Sequence, residues 1–229
     1  MMELLETFWQ KIYLTFIYEN RYLFFLEGLR STLILTFASF ILGTVFGVLL
    51  SVMQNSRNKS VRKAGEIMAA ALREIPTTVL LMIMVYIIFG RSSLPLMLVV
   101  AVGLTFKAGS YLSEIFNTAL ATVQEGEIEA ARTLGMNKWQ AFYYVMLPQT
   151  VERALPLYIN QFISTMQETS VVGYLAIVDL TKAASIVSSR TMDAFFGVIS
   201  ITIIYFLIGL IVKAIVKAIK NRKRNEVLA

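Results

Sequence analysis

The chain has 229 residues, of which 57% are hydrophobic and 16% charged, and it carries a net charge of +6. Soluble domains have about 45–50% apolar and about 25% charged residues, so a soluble fold could not bury this apolar surplus. The sequence contains neither Cys nor His, which excludes disulfides, thiolate chemistry and the commonest metal ligand. We therefore predict an integral membrane protein with no catalytic residues and no metal site.

Residues 1–22 precede the first long apolar run and predict an N-terminal amphipathic segment. Several of their apolar side chains fall near one helical face: Leu4, Leu5, Phe8, Ile12 and Phe16. This pattern is typical of a helix lying along a membrane surface, here the outer one, and a frayed terminus is the alternative. Glu3 and Glu6 stand where a secretory signal would have basic residues, so we do not expect a signal peptide.

Residues 23–215 contain five apolar runs, each close to the length of about 20 residues that a membrane helix needs. We expect spans near 28–53, 64–90, 94–122, 151–176 and 192–215. The second run proper covers only Ile75 to Gly90, so its helix should begin near Ala64 and be kinked or broken at Pro76. The expected fold class is all-α, a polytopic membrane protein with five transmembrane helices.

Loop charges predict the orientation of these spans. Fourteen of the 21 Lys and Arg residues fall on one side, in segments 54–74 and 124–153 and in the end of the chain, which includes a basic tail at 216–229. Six fall on the other side, and Lys107 lies inside the membrane. The positive-inside rule then places the N-terminus outside and the C-terminus in the cytoplasm.

Small residues follow one face of the first span: Thr32, Thr36, Ser39, Gly43 and Gly47. The last two form a GxxxG step, which allows a second helix to approach closely. The pattern leaves open whether that helix belongs to the same chain or to another one.

The segment 125–148, between the third and fourth spans, predicts two short helices joined by a turn. Ile128 to Leu134 has good helix propensity, with acidic residues in the preceding turn. Gly135 suits the left-handed residue after a helix, Asn137 is a good N-cap for the next helix, and Pro148 should limit that second helix.

The exposed part of this hairpin is expected to be a nearly bare surface. Its residues Glu129, Ala130 and Ala131 have short or flexible side chains. Such a surface is suited to docking against another protein.

The hairpin resembles the EAA loop of permease subunits of bacterial ATP-binding-cassette importers. The resemblance rests on Glu129-Ala130-Ala131, Gly135 and Leu147-Pro148, while Val145 stands where the family usually has Ile. Further motifs resemble those of the polar amino-acid subfamily: Gly28-Leu29-Arg30-Ser31-Thr32-Leu33, Arg73-Glu74-Ile75-Pro76, Tyr111-Leu112-Ser113-Glu114-Ile115 and Gln167-Glu168-Thr169-Ser170. The chain is thus similar to permeases for histidine, glutamine, glutamate and arginine.

This resemblance implies the fold of a type I importer permease in a bacterial inner membrane. Two permease subunits, identical or sister chains, would form a pathway that receives its solute from a substrate-binding protein. Two ATPase subunits would bind the hairpin through Glu129, Ala130, Ala131, Arg132, Gly135 and Asn137. The chain has no GxxxxGK[ST] motif, so ATP and Mg would be held by the ATPase, and this chain would be neither an enzyme nor a nucleic-acid-binding protein.

Two stripes of polar residues lie inside the predicted spans. They comprise Lys107, Tyr111, Glu114 and Thr118 in the third span, and Asn160, Gln161, Ser164, Gln167 and Glu168 in the fourth. Such residues face the bundle interior or water, and here they predict a path for a polar amino acid.

The ammonium of that amino acid would meet Glu114 or Glu168. Its carboxylate would meet Lys107 or donors around Thr169 and Ser170. The alternative is a structural pair of Lys107 with a Glu, together with amide side chains that join helices.

Other functions remain open at this point. An importer of a different small solute would carry the same hairpin, and an ion-coupled secondary transporter could use the membrane-embedded charges. A membrane scaffold without transport activity is the third class.

Overall fold

The computed structural model describes residues 8–228, with side chains through Ala218, and this part of the chain contains helices and no strands. The predicted all-α class is confirmed. Residues Leu4 and Leu5 of the predicted amphipathic face lie outside the described residues. The α-helices are α1 Tyr22–Gln54, α2 Lys59–Glu74, α3 Thr77–Met82, α4 Leu96–Ala121, α5 Glu125–Thr133, α6 Lys138–Ala141, α7 Leu147–Glu168, α8 Leu180–Thr191 and α9 Ala194–Leu228.

Three of these helices, α1, α4 and the first part of α9, are long and apolar enough to cross a membrane. Two bent pairs add to them: α2 with the helical segment 77–88, bent by 106°, and segment 138–175 with α8, bent by 50°. Counting each bent pair as one span gives the expected five within the described chain.

The predicted break before Pro76 is present. Helix α2 ends at Glu74, and Ile75 and Pro76 both adopt extended backbone conformations before α3 begins. A proline disfavours the helical conformation of the residue before it and cannot donate a backbone hydrogen bond. The local sequence therefore dictates where the helix stops.

The chain divides into two compact units, one formed by Phe37–Thr165 and the other by the segments on either side of it. In the first unit, the GxxxG face of α1 meets α4 of the same chain. A Cβ at Gly47 would lie 2.9 Å from the carbonyl oxygen of Gly109, and a Cβ at Gly109 would lie 2.9 Å from that of Gly43. The Ser39 hydroxyl donates to the Ala101 carbonyl at 3.1 Å. The partner of the small-residue face is therefore internal.

Gly47→Ala is expected to lower the free energy of unfolding by about 1–3 kcal/mol, because the added methyl group overpacks a tight crossing. The matched control is Gly126→Ala, where a Cβ would meet nothing within 4 Å. Equilibrium unfolding in mixed detergent micelles measures both variants. Equal stability of the two would contradict the close packing of α1 on α4.

In the second unit, α8 is a helix that lies between the predicted fourth and fifth spans. The Asp179 carboxylate caps it by accepting hydrogen bonds from the backbone N–H groups of Thr181 and Lys182, at 3.1 and 2.9 Å. The buried stripe of α8 packs against α9, and its members are Leu180, Ala183, Ala184 and Val187. The N-cap and this i, i+3, i+4, i+7 spacing are the sequence signals that identify the helix.

The N-terminal segment packs onto the same unit. The Phe16 ring lies 5.2 Å from that of Phe25, and Lys11 forms an ion pair with Asp193 at 2.7 Å. The hydrogen bond from the Lys11 ammonium holds the pKa of the Asp193 carboxyl below its ordinary value, so the pair persists at neutral pH. Attachment of this segment to a membrane surface stays a prediction.

Candidate functional site

Helices α4 and α7 line a cleft of about 340 Å³. Its walls are formed by Tyr111, Glu114, Ile115 and Thr118 from α4 and by Leu157, Asn160, Gln161 and Ser164 from α7. Helical periodicity places these α4 residues on one face, and the two predicted polar stripes face each other here. The structure thus brings together six of the eleven residues predicted for the path.

The cleft contains one carboxylate, that of Glu114. Its side chain is 58% exposed and lies 3.3 Å from the Arg73 guanidinium, which also donates to the Ser110 carbonyl at 3.4 Å. The arginine therefore reaches from the end of α2 to the rim of the cleft and balances its negative charge.

Gln161 is the buried polar residue of the cleft wall. It is 9% exposed, and its side-chain nitrogen has no hydrogen-bond partner among the residues that the structure describes. A buried amide left unpaired costs about 1–3 kcal/mol. The cleft wall therefore contains an unsatisfied donor, which lies beneath its surface.

Lys107 does not line this cleft. Its side chain is buried, and its ammonium donates to the backbone carbonyls of Leu72, Arg73 and Ile75 at 3.1, 2.8 and 2.6 Å. The ammonium also lies 5.3 Å from the centre of the Tyr111 ring. These carbonyls lie at the break after α2. The spacing of the polar stripe did not indicate that Lys107 would bind them.

The remaining predicted path residues belong to the other compact unit. Gln167 is exposed and Glu168 half-buried at the end of α7, where a 3₁₀ turn, Thr169–Leu175, follows. Thr169 is fully buried and its hydroxyl donates to the Met166 carbonyl at 2.7 Å. Ser170 is half-buried in the same turn.

The predicted turn of the hairpin is confirmed. Gly135 has a φ of 90°, the left-handed conformation that glycine tolerates. Asn137 accepts a hydrogen bond from the Gln140 backbone N–H, and the Gln140 side chain accepts one from the Asn137 backbone N–H, both at 2.9 Å. This reciprocal capping box fixes the start of α6.

Two expectations for the hairpin were wrong. Ala131 is 5% exposed, so it packs inside the hairpin, whereas Glu129 and Ala130 are exposed. Pro148 does not limit the second helix, because the helical path runs from α6 through a π-helical stretch, Phe142–Met146, into α7. The wider π turn accommodates a residue that cannot donate a backbone hydrogen bond.

The outer face of the hairpin has a shallow cleft beside exposed apolar side chains. The cleft, of about 380 Å³, is lined by Glu129, Arg132, Thr133, Gly135 and Met136. Leu134 is 82% and Trp139 81% exposed. Sequence reasoning missed Leu134 as a surface residue, because it treated the residue as part of the helix pattern.

Side-chain hydrogen bonds attach the hairpin to the membrane helices of its own unit. The Gln149 amide at the start of α7 donates to the Glu127 carboxylate of α5. The Arg153 guanidinium of α7 donates to the Thr122 carbonyl at the end of α4. The hairpin is therefore bonded at its base to α7, and α7 is bonded in turn to the end of α4.

Residues 43–225 match the family model described as "Binding-protein-dependent transport system inner membrane component". The chain belongs to this family. A solved structure described as an amino acid ABC transporter with histidines superposes with a TM-score of 0.80 and is 30% identical, covering 87% of this chain and 94% of that one. The methionine transporter MetNI, at 23% identity and a TM-score of 0.67, shows the same fold.

Curated relatives of similar length agree with this family. A probable amino-acid permease, YxeN of Bacillus subtilis, is 26% identical over 81% of this chain and 85% of its own length. A putative glutamine transport permease, GlnP of Rickettsia typhi, is 28% identical over 87% and 93%. The type I importer permease fold and the assignment as a transport subunit are confirmed.

Proposed function

We propose that this chain is the permease subunit of an ATP-driven importer and translocates a polar amino acid delivered by a substrate-binding protein. The observation that carries the proposal is the polar cleft between α4 and α7 in a chain of this family. The names of the relatives, which refer to amino acids and glutamine, support the substrate class.

The cleft has the chemistry for a small zwitterion. Its volume of about 340 Å³ lies in the range of roughly 300–1,000 Å³ that is usual for ligand pockets. Glu114 supplies a negative charge for an ammonium, and the Gln161 amide would supply a donor for a carboxylate by turning its buried nitrogen toward the cleft. The alternative site lies in the other compact unit, where Glu168 would meet the ammonium and donors around Thr169 and Ser170 the carboxylate. Lys107 is no longer a candidate for the carboxylate, because its ammonium is held by three backbone carbonyls.

The proposed complex contains a second permease subunit, identical or a sister chain, and two ATPase subunits that hold ATP and Mg. The excess of basic residues supports an outside N-terminus and a cytoplasmic hairpin. The exposed hairpin residues Glu129, Arg132 and Leu134 would then contact an ATPase. Asn137 and Gly135 would serve this contact by setting the shape of the turn.

Gln161→Leu is expected to raise the KM for uptake by about tenfold, because a hydrogen bond to a charged group is worth about 1.5–3 kcal/mol. Uptake of labelled glutamine, histidine and arginine by proteoliposomes that hold the complete complex measures the effect. The matched control is Thr165→Val, which removes a buried hydroxyl whose one bond among the residues that the structure describes lies within α7, to the Gln161 carbonyl at 2.9 Å. An unchanged KM in the Gln161 variant for every substrate carried would remove the cleft from the substrate path.

A further inference from the structure

The break between α2 and α3 leaves backbone carbonyls without their helical donors. In a continuous helix the Leu72 carbonyl would accept from the N–H of residue 76, but Pro76 has none. The Arg73 carbonyl loses its donor because Ile75 and Pro76 are extended. The Ile75 carbonyl lies just before the N-cap of α3 and outside that helix. Buried carbonyls in this state are costly.

The Lys107 ammonium donates to these three carbonyls. The three distances lie between 2.6 and 3.1 Å, and the side chain is 3% exposed. An ammonium has three N–H donors, and the carbonyls at the C-terminal end of a helix attract positive charge. The ammonium thus offers as many donors as there are carbonyls, lies beside them and has the opposite charge to their dipoles. This explains how a buried lysine is tolerated within a predicted span.

We propose that Lys107 is a positioning residue that caps α2 and holds the 106° bend. The bend decides where the Arg73 side chain emerges, because its own carbonyl is one of the three that Lys107 binds. Arg73 in turn pairs with Glu114 at 3.3 Å. Lys107 therefore does not line the cleft, but it positions the arginine that balances the charge of Glu114 there.

Spin labels across the bend test this directly. The chain has no native Cys, and Ile67 on α2 and Ile87 beyond α3 are 60% and 75% exposed, so both accept a label. In a Lys107→Met background the distance distribution between the two labels is expected to broaden or shift, because nothing then holds the three carbonyls together and a straighter path would give the Arg73 carbonyl the N–H of Thr77. Lys107→Arg is expected to retain the native distribution, and Lys107→Gln, with two N–H donors, to fall between them.

The matched control is Thr105→Val, a buried position on α4 whose hydroxyl bonds only to the Ala101 carbonyl of its own helix. It should leave the distance unchanged. If the Met variant does not fold, the test is still decided by comparing the Arg and Gln variants, since the distance distribution should be closer to the native one in Lys107→Arg than in Lys107→Gln. The proposal would be overturned if Lys107→Gln and Lys107→Met both kept the native distance distribution. It would also be overturned if the distribution in Lys107→Arg were as broad as that of the most disturbed variant.

A transport measurement separates this role from substrate binding, and this arm alone depends on the proposed function. If Lys107 acts as a cap, the Lys107 variants with the largest change in the label distance should also lose the most uptake. Loss of uptake with an unchanged distance would contradict capping and assign Lys107 to the substrate. The absence of uptake in the unaltered complex would instead count against the proposed function and leave the distance result standing.

Discussion

Leu134→Asp is expected to remove the ATPase subunits from the purified complex. Leu134 is 82% exposed at the end of α5, beside the shallow cleft that contains Glu129 and Arg132. On the proposed function this apolar side chain is buried against the ATPase. Placing a carboxylate in a desolvated contact costs several kcal/mol, so affinity should fall by about a hundredfold or more.

Copurification from detergent, with the amounts of permease and ATPase quantified, measures this loss. The matched control is Met192→Asp, at a position that is 92% exposed and that the proposed orientation places on the opposite side of the membrane. It should retain the full ATPase complement. An intact complex in the Leu134 variant, or equal loss in the control, would contradict docking through the hairpin.

Glu168→Ala is expected to abolish uptake while leaving insertion and assembly intact. Glu168 is a half-buried carboxylate at the end of α7, and an ionisable group within a membrane segment faces the bundle interior or a water-filled cavity. On the alternative in which Glu168 rather than Glu114 meets the substrate ammonium, loss of this charge-assisted contact should lower kcat/KM by about a hundredfold.

Initial uptake rates at several substrate concentrations, together with the ATPase content of the purified complex, separate transport from assembly. Glu66→Ala is the carboxylate control, because Glu66 is exposed and forms only a surface pair with Arg62 at 3.8 Å. Unchanged uptake in the Glu168 variant would remove this residue from the path. Loss of assembly would show that its role is structural.

Local signals in the sequence predicted the features that depend on neighbouring residues. Pro76 predicted the break in the second span, Gly135 and Asn137 predicted the hairpin turn, and the spacing of Glu114 and Gln161 placed them on facing stripes. Each of these follows from backbone preferences or helical periodicity, which need no knowledge of distant contacts. The sequence also predicted the GxxxG contact, although not its partner.

The features that were missed depend on contacts between elements. The partners of Lys107 exist only because α2 stops beside α4, so the stripe suggested a substrate or a Glu instead. Ala131 is buried because α5 packs against α6 and the π-helical stretch of the same hairpin, which no periodicity in a short helix reveals. Helix α8 lies between two long apolar runs and is short and amphipathic, so a search for long apolar runs does not predict it, although Asp179 marks its N-cap.

The proposed mechanism links the two sites through the base of the hairpin. Gln149 bonds to Glu127 and Arg153 bonds to the Thr122 carbonyl, so movement of the hairpin reaches α4 and α7. These are the helices that line the polar cleft. A closing ATPase could therefore change the cleft through contacts that this chain already contains.

Uptake by proteoliposomes that hold the complete complex tests the central claim most directly. The vesicles should contain ATP on the ATPase side and the binding protein on the other, with ionophores added to remove ion gradients. We predict accumulation of a polar amino acid that requires ATP and the binding protein and is unaffected by the ionophores. Accumulation that an ion gradient drives without ATP would contradict the assignment as an ATP-driven importer.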